Sequence, residues 1–377
     1  MNSKVPFYIA LVVIAVLAVA TCVESSMGTD AVHRMIYGAG WFRILWLALT
    51  VTGTWMAVRW QLWRKPAVAL LHMSFLVILF GAYLSSQLRT AGSIMLYEGD
   101  QTSMFMTEEG RVGHFDFTLR LDSFRIDRYK DSGEPSGFRS HVSIIDSNSF
   151  AGSASNAADK AIISMNNILR YHGMRFYQNS YTPDGRGTIL SVVHDPYGIG
   201  VTYAGYAMLF LSAMLLLIPR RLKKPSTAVA LIATLAVVAT VAYTLRWTRN
   251  DHLLPVLRSP LLAIHVGVVI MAYCLLLALV FRPSRRLLVV AMMFLVCGIF
   301  IGAVWANISW GVYWSWDPKE VWALITMLIY CLPLHQRSLP WFADDRHLRV
   351  YLRLAFVSVL ITYFGVNFLL GGMHSYV

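Results

Sequence analysis

The sequence predicts an all-α polytopic membrane protein of about nine transmembrane helices, with a small β-rich extracytoplasmic domain inserted between spans three and four. Hydrophobic residues make up 57% of the 377 residues and charged residues only 14%, too apolar a composition for a soluble domain. The mean hydropathy is +0.55, and the apolar residues form runs of about 20, as a helix needs to cross the ~30 Å hydrocarbon layer. The candidate spans are 5–22, 41–58, 67–86, 198–218, 226–245, 260–281, 286–306, 321–335 and 350–371.

The distribution of lysine and arginine predicts the orientation of these spans. With the N-terminus in the cytoplasm, the short inner flanks carry fifteen basic residues and the short outer flanks six. Basic residues concentrate on the cytoplasmic side of membrane proteins, which favours a cytoplasmic N-terminus and, with nine spans, an outer C-terminus. Lys4 precedes a run of signal-sequence length, so cleavage of the first span is an alternative; it would leave the later orientations unchanged.

The apolar series is interrupted by residues 87–197, which this orientation places outside. The segment has thirteen acidic and eleven basic residues, a net charge of −2. The rest of the chain therefore carries a net charge of +14, since the net charge of the whole chain is +12. We attribute this basic excess to contact with anionic lipid at the inner surface and expect no nucleic-acid partner.

Alternating apolar and polar residues predict strands within this segment. The pattern is clearest in "HFDFTLRLDSFRI" and recurs in "GMRFYQNSY" and "TILSVV". Turn signals at "KDSGEPSG" and "TPDGRG" separate these strands, and "SFAGSASNAADKA" is predicted to be a flexible loop. All four cysteines lie in or at the edge of predicted spans and none forms C-x-x-C, so we expect neither disulfides in the outer domain nor a thiol relay.

Four of the eleven histidines lie in or at the ends of predicted spans. Ionisable side chains at membrane depth are costly, so each of them is a candidate functional residue. His72 lies about 8 Å from the cytoplasmic end of the third span, and His335 closes the eighth span on the same side. His265 lies just inside the outer end of the sixth span, and His374 follows the ninth at the outer surface.

Two histidines near each membrane face could form two bis-histidine haem sites, because six-coordinate haem iron takes one imidazole on each face. Two alternatives stay open. Each histidine could simply bond a carbonyl or end a helix. The protein could also be a b-type electron-transfer subunit with two haems, although such proteins usually draw both pairs from two shared helices, and here every histidine lies on a different span.

The segment "WGVYWSWDPKEVW", residues 310–322, is unusually rich in tryptophan. Asp317 is predicted to cap a helix that begins with Pro318, with Glu320 three residues after the cap. The aromatic faces could stack on a porphyrin while the helix N-terminus attracts its propionates. Arginines that could also attract the propionates are Arg246, Arg249 and Arg258. An interfacial aromatic belt is the alternative for the tryptophans, and a purely capping role is the alternative for Asp317.

This segment resembles the tryptophan-rich WWD signature of haem-handling proteins of cytochrome c maturation. Together with "IHVGVVIMAY" and "GGMHSYV", it is similar to the CcsA (ResC) half of the System II cytochrome c synthetase. "LLHMSFLVILFGAYL" and "LRYHGMRFYQNSYTPDGRGTILSVVHDPYGIGVTYAGYAML" resemble the CcsB (ResB) half. The resemblance thus indicates a fused CcsB/CcsA protein of the bacterial cytoplasmic (inner) membrane.

The resemblance implies a holocytochrome c synthase, or haem lyase, whose transported substrate is haem b. His72 and His335 would ligate the iron near the cytoplasm, and His265 and His374 would ligate it at the outer face. Residues expected around the outer haem are Trp310, Trp314, Trp316, Trp322 and Asp317, of which all but Trp322 are also assigned a catalytic part. The implied partner is an apocytochrome c with a C-x-x-C-H segment, and thiol-reducing proteins are possible further partners.

The resemblance also divides the chain into regions. Residues 1–86 are expected to form a three-span CcsB-like membrane region, and 87–197 the outer β-rich domain. Residues 198–225 would complete the CcsB-like region with a fourth span and an inner loop. Residues 226–377 would form the CcsA-like region with the WWD loop. The outer domain is smaller than the one that System II fusions usually carry.

Overall fold

The computed structural model describes residues 3–129, 133, 135–146, 159–218, 257 and 259–370. Within these ranges, seven helices are long and apolar enough to cross a membrane. The described helices are α1 (Val5–Met27), α2 (Thr29–Val32), α3 (Gly40–Arg59), α4 (Pro66–Leu88), α5 (Gly198–Leu217), α6 (Pro260–Phe281), α7 (Arg285–Trp310), α8 (Pro318–Cys331) and α9 (Asp345–Leu360). All but α2 and α8 are among the seven, and α9 continues as a π-helical segment, Ile361–Leu370.

Two predicted spans, the fifth and the eighth, are not among these seven helices. The fifth, 226–245, lies outside the described residues. The eighth, 321–335, corresponds to α8, which has only 14 residues. At 1.5 Å per residue this helix is about 21 Å long, shorter than the ~30 Å hydrocarbon layer. Pro333 explains the early end, because proline cannot continue the helical hydrogen-bond pattern; a 3-10 turn, Leu332–Leu334, follows instead.

Glycines bring α4 and α5 close together. A Cβ atom on Gly81 would lie 2.3 Å from the hydroxyl oxygen of Thr202, and one on Gly205 would lie 2.6 Å from Ile78. Small residues at such positions let helix backbones approach closely within a membrane. Because α4 leads into the first strand of the sheet and α5 follows its last strand, this helix pair joins the sheet to the membrane region.

Eight strands lie between α4 and α5 and form one antiparallel sheet in the order β5-β4-β3-β2-β1-β8-β7-β6. They are β1 (Thr90–Tyr97), β2 (Gln101–Thr107), β3 (Val112–Arg128), β4 (Pro135–Asp146), β5 (Asp159–Ser164), β6 (Leu169–Tyr171), β7 (Met174–Tyr181) and β8 (Gly187–His194). The three predicted strand patterns lie in β3, β7 and β8. In β3, Phe115, Phe117, Leu119 and Leu121 alternate with polar residues and are buried, as the pleat of a half-buried strand requires.

The sheet curls so that its distant strands meet. The Ser140 hydroxyl on β4 lies 2.7 Å from the Gln178 side-chain oxygen on β7 and 2.9 Å from the Thr188 hydroxyl on β8. Strand β4 is not a neighbour of β7 or β8 in the sheet order, so these side chains meet across the interior. The core between them contains Phe117 and Phe176, both fully buried.

The predicted loop "SFAGSASNAADKA", residues 149–161, requires one correction. Most of it lies outside the described residues, but its last three residues belong to β5 and pair with β4: Ala161 lies opposite Val142 and Asp159 opposite Ile144. Small and polar residues indicated a loop there, whereas pairing with a long neighbouring strand outweighs that local preference.

Candidate functional site

The imidazoles of His72 and His335 lie next to each other at one end of the helix bundle. Their ring centres are 6.2 Å apart and their planes are nearly perpendicular, at 81°. His72 is in the second turn of α4, and His335 follows the 3-10 turn after α8. The break of α8 before Pro333 therefore helps to place His335 beside α4. The structure brings this predicted pair together, while iron ligation by it stays a prediction.

Both histidines have the same hydrogen-bonding pattern. The Nδ1 atom of His72 lies 2.8 Å from the carbonyl oxygen of Val68, and that of His335 lies 2.9 Å from the carbonyl oxygen of Cys331. A carbonyl only accepts, so Nδ1 carries the proton and Nε2 keeps its lone pair for a metal. Histidines that ligate metals usually have such an outer hydrogen bond, which fixes the tautomer and the orientation of the ring.

The spacing of these rings is compatible with a shared metal ion. Imidazole nitrogens lie ~2 Å from a metal ion such as zinc and about 1 Å from their own ring centre, so two ligands on one metal have centres roughly 6 Å apart. The Phe7 ring lies 5.3 Å from that of His335, so the surroundings are apolar on that side. The donor set therefore fits a bis-histidine haem iron.

His265 lies on α6 against the glycine face of α7. Its Nδ1 atom is 2.7 Å from the carbonyl oxygen of Gly298, so Nδ1 again carries the proton in this tautomer. A Cβ atom on Gly302 would lie 2.6 Å from the imidazole. Gly298 and Gly302 are four residues apart and thus on one face of α7, forming the G-x-x-x-G pattern of close helix packing. The sequence shows this pattern as "GIFIG", although it was not among the predicted features.

The expected partner of His265, His374, lies outside the described residues. The same is true of Arg246, Arg249 and Arg258, the predicted propionate ligands. Of the predicted outer pair, the structure therefore describes only His265. Iron ligation by His265 and His374 stays a prediction.

The WWD loop is fixed at both of its ends. Gly311 ends α7 in the left-handed conformation, with φ +78°, as expected for a helix C-terminus. Asp317 caps α8, accepting a hydrogen bond of 2.9 Å from the Lys319 N–H, so the predicted helix start is confirmed. The Glu320 carboxylate accepts a hydrogen bond of 2.8 Å from the Ser315 N–H. Burial lowers the pKa of Lys319, and the nearby charge of Asp317 opposes this shift.

The four tryptophans of this segment contact different parts of the protein. Trp310 packs edge-on against Trp305, with ring centres 4.7 Å apart. Trp314 and Trp316 are nearly perpendicular at 6.0 Å. The indole N–H of Trp322 donates to the Thr21 hydroxyl on α1 over 3.1 Å. Within the described residues, Trp314 therefore contacts Trp316, while Trp310 and Trp322 contact partners in other parts of the protein.

Trp316 has an unusual backbone and a specific aromatic partner. Its φ is +61°, a left-handed conformation that costs a non-glycine residue roughly 1–2 kcal/mol. Its ring stacks on Tyr37 at 4.8 Å and 11°, and meets Phe42 edge-on at 5.3 Å. Burial raises the pKa of Tyr37, and the charges of Glu24 and Asp317 add to the shift. The N-terminal region therefore holds this part of the WWD loop.

The sheet contacts the same loop from the other side. The Ser309 hydroxyl donates to the Asn166 side-chain oxygen over 2.6 Å. A Cβ atom on Gly311 would lie 2.9 Å from the Tyr177 ring and 3.1 Å from Val193, so only glycine fits where α7 meets β7 and β8. These contacts could not be predicted from the sequence, because nothing local in either segment indicates that they meet.

Comparison with known proteins identifies two families along the chain. Residues 17–203 match the ResB-like family, and residues 277–374 match the cytochrome C assembly protein family. His72 lies in the first match, whereas His335 and the WWD segment lie in the second.

Several curated relatives are similar to parts of the chain. Protein NrfI of Wolinella succinogenes is 39% identical over 152 residues, which cover 33% of this chain and 17% of NrfI. The cytochrome c biogenesis protein CcsA of Gloeobacter violaceus is 50% identical over 94 residues, or 25% of this chain and 27% of CcsA. CcsA of Guillardia theta is 55% identical over 83 residues, which cover 22% of this chain and 27% of that CcsA. The chain thus spans less than a third of each relative, yet it joins a ResB-like region to a cytochrome c assembly region and belongs to the fused CcsB/CcsA type.

Proposed function

We propose that this protein matures cytochrome c: it moves haem b across the membrane and attaches it to an apocytochrome c. The observation that carries the proposal is the meeting of His72 with His335. One comes from the ResB-like region and the other from the cytochrome c assembly region, and their ring centres are 6.2 Å apart. A site built jointly by both regions gives a physical reason for their fusion.

The proposed orientation places this pair near the cytoplasm of a bacterial cell, in the inner membrane, with the sheet outside. His72 is 16 residues before Leu88, the last residue of α4, which is about 24 Å along a helix. The sheet begins just after α4, so it lies at the opposite end of the bundle from His72. Together with the excess of basic residues on the inner flanks, this supports a cytoplasmic N-terminus.

At the outer face, we propose that His265 and His374 hold the haem iron beside the WWD loop. Trp310, Trp314, Trp316, Trp322 and Asp317 would surround the ring. Each cysteine thiol of C-x-x-C-H then adds across one haem vinyl group: sulfur bonds one vinyl carbon, and the thiol hydrogen goes to the other. The addition transfers no electrons, but the thiols must be reduced beforehand, which is a role for thiol-reducing partner proteins.

The residues contribute mainly by positioning. Ligation of the iron by two imidazoles would set the position and the plane of the ring, and contacts with the surrounding tryptophans would set its rotation about the ligand axis. The incoming thiol then needs only to align with the vinyl edge, which saves part of the entropic barrier. The reactive groups belong to the haem and the apocytochrome. In the final step, the C-x-x-C-H histidine would replace one outer ligand and release the product.

Two other functions make different predictions. A haem exporter or chaperone would deliver haem without forming the thioether bonds. A diheme electron carrier would keep its haems and be reduced reversibly by quinol. The placement of His72, His265 and His335 on different helical segments favours haem handling over the carrier, because fixed diheme subunits usually share two helices between both pairs.

Co-expression with an apocytochrome c that carries C-x-x-C-H tests the proposal. We expect haem to be covalently attached to the apocytochrome and attachment to be lost with His265→Gly or His374→Gly. Added imidazole should restore part of it, because it can fill the vacated ligand position. His347→Gly is a suitable control, since this histidine stacks on Trp341 at the surface. Full attachment by both glycine variants without imidazole would refute the assignment of the outer pair.

A further inference from the structure

A polar cluster lies where β7 meets the outer ends of α5 and α7. The Arg175 guanidinium on β7 donates to the Asn307 side-chain oxygen on α7 over 3.4 Å. The Tyr203 hydroxyl on α5 donates to the same oxygen, also over 3.4 Å. One acceptor is therefore shared by two long hydrogen bonds, which leaves both donors only partly satisfied.

This cluster has more buried donors than acceptors. Asn307 is 1% exposed, and its side-chain Nδ2 group has no hydrogen-bond partner within the described structure. Tyr177 is also 1% exposed; the Arg175 guanidinium approaches its hydroxyl as a donor and opposes the rise of its pKa, but the hydroxyl has no acceptor for its own proton within the described structure. Buried donors without acceptors are costly and uncommon in native proteins. Two of them beside a half-satisfied guanidinium indicate that an acceptor from outside the protein completes the cluster.

The charges around the cluster are positive. Arg170 on β6 lies directly opposite Arg175 on β7, although like charges at opposite positions of a sheet destabilise it. Burial raises the pKa of Tyr177, and the guanidinium groups of Arg175, Arg170 and Arg89 oppose that shift, so three positive groups act on one hydroxyl. An anion in this place would relieve their mutual repulsion.

The nearby carboxylate of Asp195 is already engaged. One of its oxygens accepts from the Ser85 hydroxyl over 2.5 Å and the other from the Gly198 N–H over 2.8 Å. It therefore joins the end of α4 to the start of α5 and does not neutralise Arg175 through a direct hydrogen bond.

The cluster adjoins the WWD loop. Asn307 is one helical turn before Gly311, whose N–H donates to the Asn307 backbone oxygen over 3.1 Å. The Tyr177 ring packs against Gly311 itself. An anionic group that binds here would lie at the base of the loop, with the remainder of the ligand able to extend along it.

We propose that Arg175, Asn307 and Tyr177 bind a propionate carboxylate of the haem substrate at the outer face. The assignment rests on the proposed function, because it takes the outer ligand to be haem. Guanidinium groups bind carboxylates through charge-assisted hydrogen bonds, and the Asn307 amide and Tyr177 hydroxyl supply the neutral donors. The ResB-like sheet would thus contribute directly to the site at the WWD loop.

The test compares haem with its dimethyl ester, in which both propionates are uncharged. Binding is measured by absorption in the full-length His72→Gly/His335→Gly variant, which leaves only the outer site. We expect haem to bind about tenfold or more tightly than the ester, as a charged hydrogen bond predicts. Arg175→Gln should remove most of this preference, while Arg139→Gln, an arginine paired with Asp127 on the same sheet, should keep it.

A second variant keeps the test decisive if Arg175→Gln fails to fold. Asn307→Asp has the same shape, supplies Arg175 with its own carboxylate and should repel a propionate, so haem should lose its preference while thermal stability is kept. An equal affinity for haem and ester, or a preference that persists in both variants, would overturn the carboxylate site. Binding of neither porphyrin would instead refute the outer haem site, and with it the proposed function.

Discussion

The imidazole of His265 rests directly on Gly302 of the neighbouring helix. A Cβ atom at Gly302 would lie 2.6 Å from the ring, below any ordinary van der Waals contact, so the position of His265 depends on the absence of a side chain there. The hydrogen bond from His265 to the Gly298 carbonyl oxygen fixes the ring from the same helix. One face of α7 therefore sets both the tautomer and the position of this histidine.

The variant Gly302→Ala should consequently displace the imidazole. We expect weaker haem binding at the outer site and reduced covalent attachment, because a displacement of about 1 Å can cost on the order of a hundredfold in rate. Absorption spectra and attachment assays measure the two effects. Gly53→Ala is the matched control, since nothing lies within 4 Å of a Cβ there. An unaltered spectrum in Gly302→Ala would show that His265 is not a precisely placed ligand.

The role of Asp317 can be separated into capping and charge. Its side chain accepts the Lys319 N–H, and asparagine can make the same hydrogen bond without the charge. Asp317→Ala should lower the free energy of unfolding by about 1 kcal/mol, the typical value of an N-cap. Asp317→Asn should be nearly as stable as the parent protein and keep most of its attachment activity. Thermal unfolding and haem attachment are measured on both, and an inactive but stable Asn variant would indicate that the charge itself is needed.

Trp316 allows a test of backbone strain. At φ +61°, alanine has the same steric problem as tryptophan, whereas glycine does not. Both replacements remove the stacking on Tyr37. We therefore expect Trp316→Gly to be about 1 kcal/mol more stable than Trp316→Ala, the reverse of the order in ordinary helices. Unfolding of the two variants in the same detergent measures the difference, and an Ala variant as stable as the Gly variant would contradict it.

Local sequence signals predicted the parts of the structure that depend on local physics. Asp317 and Pro318 begin α8 because capping and a fixed proline φ act within one helical turn. The alternation in β3 indicated a strand since one of its faces is buried. The meeting of His72 with His335 was also predictable, because the predicted topology places both residues on the same side of the membrane.

The contacts that were missed depend on tertiary structure. Arg175 and Asn307 are 132 residues apart, and neither segment indicates the other. The direction of each tryptophan ring likewise depends on residues far away in the sequence: Tyr37 for Trp316 and Thr21 for Trp322. The length of α8 also differed, because a proline after an apolar run ends the helix even where hydrophobicity continues.

The interior of the sheet contains a polar contact whose loss should be costly. The Ser140 hydroxyl lies within hydrogen-bonding distance of both Gln178 and Thr188, and all three side chains are buried. Ser140→Ala should therefore destabilise the protein by about 1–3 kcal/mol, because it leaves the buried side-chain oxygen of Gln178 without its donor, while Thr188 still accepts from the Gln178 amide. A double-mutant cycle with Gln178→Leu, followed by chemical unfolding, isolates the interaction. Additive effects of the two changes would show that these groups are not coupled.

The order of haem transfer can be tested by combining variants of the two sites. If haem reaches the outer site through the inner pair, His265→Gly should accumulate haem at His72 and His335, with a low-spin bis-histidine spectrum. His72→Gly should lose that haem and also the covalent attachment, because the outer site is no longer supplied. The double variant should then resemble His72→Gly. If the double variant instead accumulates as much haem as His265→Gly, haem is held elsewhere and the two imidazoles at 6.2 Å do not form the entry site.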